Sequence, residues 1–250
     1  MAKYSHDTIV PFKDSDLGKK QQIAQMFDRI AFRYDFLNRF LSGGIDVYWR
    51  KRAIRELAAQ NPRQILDVAT GTADMAILMT RYLSPVRITG IDISTGMLEI
   101  GRQKIARLKL SDRVDLLTGD SEALQFPDDH FDAITVAFGV RNFENLEKGL
   151  QEMLRVLKPG GRLVVLEFSQ PKKTAFRRLY ELYMRLVAPG IVSLLSSNRK
   201  AYQYLNESVR AFPEGTDFVR ILDKNGYTHT GLRPLSLGIC SIYYGTKILL

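Results

Sequence analysis

Residues Ile65 to Asp74 read Ile-Leu-Asp-Val-Ala-Thr-Gly-Thr-Ala-Asp, and this stretch constrains the fold of the chain more than any other. The apolar run Gln64–Val68 predicts a buried strand. It stops at a turn where Ala69, Gly71 and Ala73 alternate with hydroxyls, and a helical pattern begins at Asp74. Such a turn lets the backbone approach a ligand closely, and the helix behind it offers free N–H groups. Ile91-Asp92-Ile93 closes the next apolar run. A carboxylate there can accept two hydrogen bonds from a ribose diol.

What the turn binds follows from its charge. A dinucleotide fingerprint needs Gly-x-Gly-x-x-Gly to admit a pyrophosphate, and only Gly71 is a glycine here. Asp67 precedes the turn and Asp74 opens the helix, so two carboxylates would repel a pyrophosphate and suit a cation. S-adenosylmethionine is such a ligand, with a positive sulfonium, a positive ammonium and an adenosine that needs a ribose acceptor. The alternative is an ordinary strand-to-helix turn with a solvated Asp74, which α/β folds contain in number.

The rest of the chain alternates strand and helix patterns. An amphipathic helix carrying Ile23, Met26, Phe27, Ile30 and Ala31 precedes a break at Gly43-Gly44, and a second helix is expected over 46–59. Strands are expected near 64–68, 87–91, 114–117, 133–137 and 162–167, with helices near 74–82, 96–109 and 146–157 between them. Short apolar strands separated by helices imply right-handed crossovers and a parallel sheet covered on both faces. A helix over 215–224 and a strand pair, 228–235 with 239–246, close the pattern. The expected organisation is a tail over 1–19 and one domain over 20–250, with a helical insertion over 172–212.

Ligand-facing residues of such a sheet lie at the carboxyl ends of its strands. The third strand is followed by Asp120 and Ser121. Asp120 can accept the adenine amino group with the Ser121 backbone N–H beside it, or it can cap a helix leading to Leu124. Phe138-Gly139-Val140-Arg141-Asn142-Phe143 follows the fourth strand and brings a guanidinium and an amide to the expected cleft.

Composition narrows the partners. No run approaches the length of a membrane span and no signal-peptide core is visible, so a cytoplasmic protein is expected. Cys240 is the single cysteine, and His6, His130 and His229 are scattered, so neither a disulfide nor a metal site is expected. The net charge is +9. Between Pro171 and Lys200 seven basic residues face one acid, Glu181, which supplies +6 of that total. Apolar Phe176, Leu179, Tyr180, Leu182, Tyr183, Leu186 and Val187 are interleaved at helical spacing. Basic residues with aromatic and aliphatic ones favour an anionic lipid surface over nucleic acid, which would place the protein peripherally on the inner face of the cell membrane. A core-packing helix with a charged outer face is the competing reading.

Several segments resemble one known family. Tyr34-Asp35-Phe36-Leu37-Asn38, with Ser42 and Trp49, is similar to the N-terminal signature of the ubiquinone/menaquinone biosynthesis C-methyltransferases. Arg155 to Leu163, continuing to Glu167-Phe168-Ser169, resembles their second signature, and 138–142 and 201–208 also look like family segments. The resemblance spans roughly residues 20 to 247. It implies the class I S-adenosylmethionine-dependent, Rossmann-like α/β fold: a seven-stranded doubly wound, mostly parallel sheet with a reversed last strand. Two positions depart from the pattern, Asp46 where the family usually carries histidine and Ala73 where it usually carries glycine. Alanine at 73 would add a methyl group near the ligand.

The implied reaction is methylation of the quinol ring of a prenylated precursor, demethylmenaquinol being favoured. A ubiquinone precursor, another small phenol or sterol, and a non-catalytic cofactor-binding subunit are the alternatives. An aromatic carbon is a weak nucleophile until the neighbouring hydroxyl loses its proton. Hydroquinone hydroxyls resemble tyrosine, with pKa about 10, so reaching neutrality requires roughly 4 kcal/mol at about 1.4 kcal/mol per unit. A guanidinium in a water-poor cleft can supply much of that. Arg141 is therefore expected to stabilise the oxyanion, Asn142 to orient the quinol and Tyr34 to pack on its ring. Asp74 is expected either to accept the proton or to hold the cofactor's ammonium. Gly71 and Thr72 should meet the methionine end, Asp92 the ribose, and Asp120 with Ser121 the adenine. The state of assembly, a homodimer included, is left open by these residues.

Overall fold

A computed structural model of the chain describes residues 4–84, 87–171 and 199–249. The elements are α1 (Lys19–Leu41), α2 (Ile45–Ala58), β1 (Gln64–Val68), α3 (Asp74–Tyr82), β2 (Arg87–Asp92), α4 (Thr95–Arg107), β3 (Val114–Thr118), β4 (Phe131–Ala137), α5 (Leu146–Val156), β5 (Leu157–Phe168), α6 (Arg199–Ala211), α7 (Thr216–Lys224), β6 (Tyr227–Leu235) and β7 (Cys240–Lys247). The seven strands run β3-β2-β1-β4-β5-β7-β6, all neighbours parallel except at β7. β7 inserts antiparallel between β5 and β6, so the reversed strand expected from the resemblance is present. Order reverses beside β1, which pairs with β2 on one side and β4 on the other. The crevice beyond the carboxyl ends of β1 and β4 is therefore the switch point where such sheets bind ligands.

The strands are apolar on both faces because both are covered. Ile65, Ala133, Val164 and Leu166 pack with Trp49, Ala53, Leu57, Met79 and Leu98 on one side. Leu66, Val68, Ile134, Leu163 and Val165 pack with Leu150, Met153, Phe218 and Leu222 on the other. Two helix starts carry short polar caps: Ser94 Oγ accepts from Met97 N at 3.2 Å, and Asn145 Oδ1 accepts from Lys148 N at 3.0 Å. α1 is fastened across the top of the sheet by Asp28, whose Oδ1 accepts from Ser94 Oγ and Gly96 N at the start of α4.

The described part of the N-terminal segment, from residue 4, packs against the rest of the chain. His6 is fully buried, and Lys19 Nζ donates to the carbonyls of His6 and Phe143 at 2.7 and 3.1 Å. Ile9 and Phe12 pack against Ile23, Met26 and Tyr204. A segment this short has no periodicity to read, so its burial was not legible in the sequence. Residues 172–198, most of the basic segment, lie outside the described residues; Arg199 and Lys200 begin α6. Among the described residues no helix is long and apolar enough to cross a membrane.

Candidate active site

The turn after β1 folds as its small residues permit. Ala69, Gly71 and Ala73 have φ of +53°, +56° and +67°, so every second residue is left-handed and a bulky or branched side chain would be strained there. Thr70 N donates to the Ile91 carbonyl at 2.9 Å and Gly71 N to Asp92 Oδ2 at 2.8 Å, which ties the turn to the end of β2. The second turn, after β4, presses against the first. A Cβ on Gly139 would lie 2.5 Å from the Cβ of Ala69, closer than real contacts allow. Gly139→Ala is expected to lower the melting temperature, since overpacking costs about 1–3 kcal/mol. It should also weaken cofactor binding at least tenfold by displacing Ala69. Thermal denaturation and calorimetric titration check this; unchanged values would mean that the two turns do not abut.

A cleft with a cavity volume of about 70 Å³ opens at this switch point, where open α/β sheets take their ligands. Of the residues expected from sequence, Tyr34, Gly71, Asp92, Asp120, Ser121 and Asn142 line it. Ile91, Ile93, Met97 and Phe143 give it apolar walls, and Phe138 and Gly139 stand beside Asn142. Burial raises the Asp92 carboxyl to about 6, against the backbone N–H donors of Ser94, Gly71 and Ile93. Asp120 does not cap a helix: its Oδ1 accepts from Glu122 N at 2.9 Å in a turn, and its Oδ2 pairs with Lys20 of α1 at 2.7 Å. Tyr34 reaches over Gly71 from α1 and meets Phe27 edge-on at 5.8 Å. Burial raises the Tyr34 phenol, opposed by a hydrogen bond with Asn38 and by the charge of Arg141. Asn142 Oδ1 accepts from the Tyr204 hydroxyl of α6 at 3.0 Å.

Three expected residues are placed otherwise. The Thr72 hydroxyl donates to Asp35 Oδ1 at 2.5 Å and accepts from Lys104 Nζ at 3.1 Å, behind the turn. Its backbone remains in the turn; its side chain is committed to the protein. Asp74 pairs with Lys104 at 2.6 Å and with Arg39 at 3.3 Å, and it is not part of the cleft lining. Burial alone would raise its carboxyl, but Lys104, Arg50 and Arg39 outweigh burial and hold it below the usual carboxylate range. A carboxylate so paired is a poor proton acceptor. Asp67, the other acid of the turn, is fully buried and accepts from Thr70 and Thr135 hydroxyls at 2.6 Å each, so it supports the turn from beneath.

Arg141 also stands behind the lining. It is 4% exposed, its Nη1 donates to Glu167 Oε1 at 2.8 Å, and it also donates to the Phe138 carbonyl. Its charge acts on the cleft by position: it opposes the rise that burial causes at Tyr34 and Tyr204. The guanidinium is thus paired through Nη1 and holds the 138–142 turn to the end of β5. Sequence reasoning did not identify Glu167 as its partner, nor Lys20, Asp35, Arg50 and Lys104.

The two family departures acquire reasons. Asp46 is buried, pairs with Arg39 at 3.1 Å and accepts from Ser42 Oγ at 2.9 Å, so a carboxylate knits α1 to α2 there. The Ala73 methyl packs at 3.4 Å from where a Cβ on Gly101 of α4 would stand, and is not part of the cleft lining. Its methyl is buried against α4.

The residues of the cleft fit S-adenosylmethionine. Asp92 is a desolvated carboxylate at a strand end, and Asp120 and apolar side chains line the same cleft. The model of the ubiE/COQ5 methyltransferase family matches residues 15–247. The chain is 45% identical over 244 residues to a demethylmenaquinone methyltransferase of Bacteroides fragilis, covering 98% of this chain and 99% of that protein. It is 46% identical over 237 residues to a ubiquinone/menaquinone biosynthesis C-methyltransferase UbiE of Geotalea daltonii, covering 94% and 100%. Among solved structures, a SAM-dependent methyltransferase of Thermotoga maritima superposes with a TM-score of 0.62 at 20% identity, covering 89% and 98%. The [4+2]-cyclase SpnF superposes with a TM-score of 0.60 at 19% identity, covering 92% and 97%. The last two likenesses concern the fold alone, which hosts more than one reaction.

Proposed function

The chain belongs to the ubiE/COQ5 methyltransferase family, and from that premise we propose that it methylates a ring carbon of a prenylated quinol, demethylmenaquinol in preference to a ubiquinone precursor. The observation that carries this reading is one cleft lined by Asp92 and Asp120 together with Tyr34, Phe138 and Asn142. When bound, S-adenosylmethionine supplies a methyl group made electrophilic by its sulfonium.

In this reading Asp92 accepts from the ribose hydroxyls, and the Gly71 turn allows close approach of the methionine end. Asp120 and the Ser121 backbone serve the adenine, with Lys20 lying over that end. Tyr34 forms one wall for the quinol ring. Asn142, held by Tyr204, orients a ring hydroxyl. Arg141 works as a positioning residue and as a source of positive potential that makes phenolate formation less costly. Asp74 is assigned to the ionic cluster behind the turn and not to proton transfer.

A prenylated quinol resides in a bilayer, so the enzyme must meet a membrane face. The basic, apolar segment 172–200 remains the proposed contact, and its residues 172–198 lie outside those described. The experiment is incubation with labelled S-adenosylmethionine and either demethylmenaquinol or the ubiquinone precursor, with the product identified by mass. Menaquinol is expected as the principal product. Methylation of the second substrate only, or of neither, would overturn the assignment.

A further inference from the structure

A second recess lies on the sheet face covered by α2, away from the cleft. It has a cavity volume of about 440 Å³ and is lined by Arg52, Arg55, Glu56 and Ala59, by Arg162 of β5 and by Arg233 of β6. Spacings of three and four place the first four on one side of α2 and its C-terminal turn. Arg162 pairs with Ala133 near the start of β4, the end of the sheet opposite Asp92 and Asn142. Tyr244 of β7 stands beside the two sheet arginines, its ring 4.4 Å from the Arg162 guanidinium and 6.0 Å from that of Arg233.

Four guanidinium groups here meet one carboxylate, which leaves a formal charge of +3 (four minus one). Glu56 is shared between the two sheet arginines, 3.1 Å from Arg233 and 3.6 Å from Arg162. Among the described residues neither Arg52 nor Arg55 has a carboxylate within ion-pair distance, and the buried Arg162 Nε has no hydrogen-bond partner. The C-terminal carbonyls of α2 contribute about half a negative charge, too little to balance the cluster. Packed guanidinium groups repel one another unless an anion stands between them. Their planar forks match phosphate oxygens two at a time. A single carboxylate would satisfy one fork; a multiply charged phosphate can engage several.

We propose that this recess binds a phosphate-bearing anion, separately from the methyl-transfer cleft. The phosphate can come from a soluble phosphorylated molecule or from an anionic lipid headgroup, and one pair of experiments separates the two. Calorimetric titration of the full chain with inorganic pyrophosphate should show saturable binding that weakens as sodium chloride is raised. Flotation compares phosphatidylglycerol with phosphatidylcholine vesicles. The double variant Arg52→Gln/Arg55→Gln should keep its affinity for S-adenosylmethionine. Pyrophosphate binding weakened at least tenfold in that variant supports a soluble ligand. Loss of retention on phosphatidylglycerol supports a headgroup. If the double variant alters neither, or if neither probe binds the parent protein, the proposal is overturned. Arg233→Gln, an exposed change on the opposite wall, repeats the test should the double variant fail to fold.

Discussion

Arg141→Leu is expected to destabilise the protein by about 3–5 kcal/mol, because it leaves a buried carboxylate without its counter-ion. Glu167 is fully buried at the end of β5. Burial raises its carboxyl, opposed mainly by Arg141 and then by the N–H of Phe168 and of Arg141. Chemical denaturation of the variant should show a clearly lower midpoint; an unshifted midpoint would mean that the pair is not buried as described. Replacing both partners, Arg141→Leu/Glu167→Leu, should restore most of the stability, since an apolar pair of similar volume is often neutral in such a site.

The same pair of variants separates structure from chemistry. Arg141→Leu is expected to lower turnover at least tenfold. If the guanidinium contributes through its charge, the double variant recovers stability and not turnover. If both return together, Arg141 serves only to fix the 138–142 turn.

Asp92→Ala should raise the dissociation constant of S-adenosylmethionine about 100-fold, or roughly 2.7 kcal/mol. The change removes the proposed ribose acceptor and also the anchor that Gly71 N and Ser94 N share. Calorimetric titration measures it, and an affinity unchanged within threefold would contradict the ribose role. A pH dependence accompanies it. Ribose hydroxyls donate best to the ionised carboxylate, and in the free protein burial raises that carboxyl to about 6. Affinity should therefore fall as pH drops through about 6, and Asp92→Asn should flatten the profile. Folding stability has the opposite sign. Between the ordinary value of 3.8 and about 6, the folded state holds a proton at Asp92 that the unfolded state has lost. That contribution to stability is full below the window and is lost as pH rises through it. Asp67, also raised by burial to about 6, acts in the same direction.

Much of the fold was legible because its signals are local. The β1 strand and the α3 helix fall where the apolar run and the Asp74 start placed them, and the other elements differ by a few residues at their ends. The turn was legible as well, since alternate left-handed positions at Ala69, Gly71 and Ala73 require small side chains. Asp92 was legible from its position at the end of an apolar run. The partners of the Asp74 and Thr72 side chains were not legible in the sequence. Lys104 is 30 residues from Asp74, and Asp35 is 37 residues from Thr72. Nothing in the local pattern announces either partner.

From the chain alone came the order of strands and helices, the small-residue turn, the acid at the end of β2 and the family. The first three depend on spacings of two to four residues and on residue type, the family on the resemblance of whole segments to its signatures. Only the tertiary structure decided which charges are free to meet a ligand. Arg141 is matched by Glu167, 26 residues away across two strands, Asp74 by Lys104, and Asp120 by Lys20 from a helix laid over the sheet. Pairing strength depends on distance and on removal from water, and both are set by how distant segments pack.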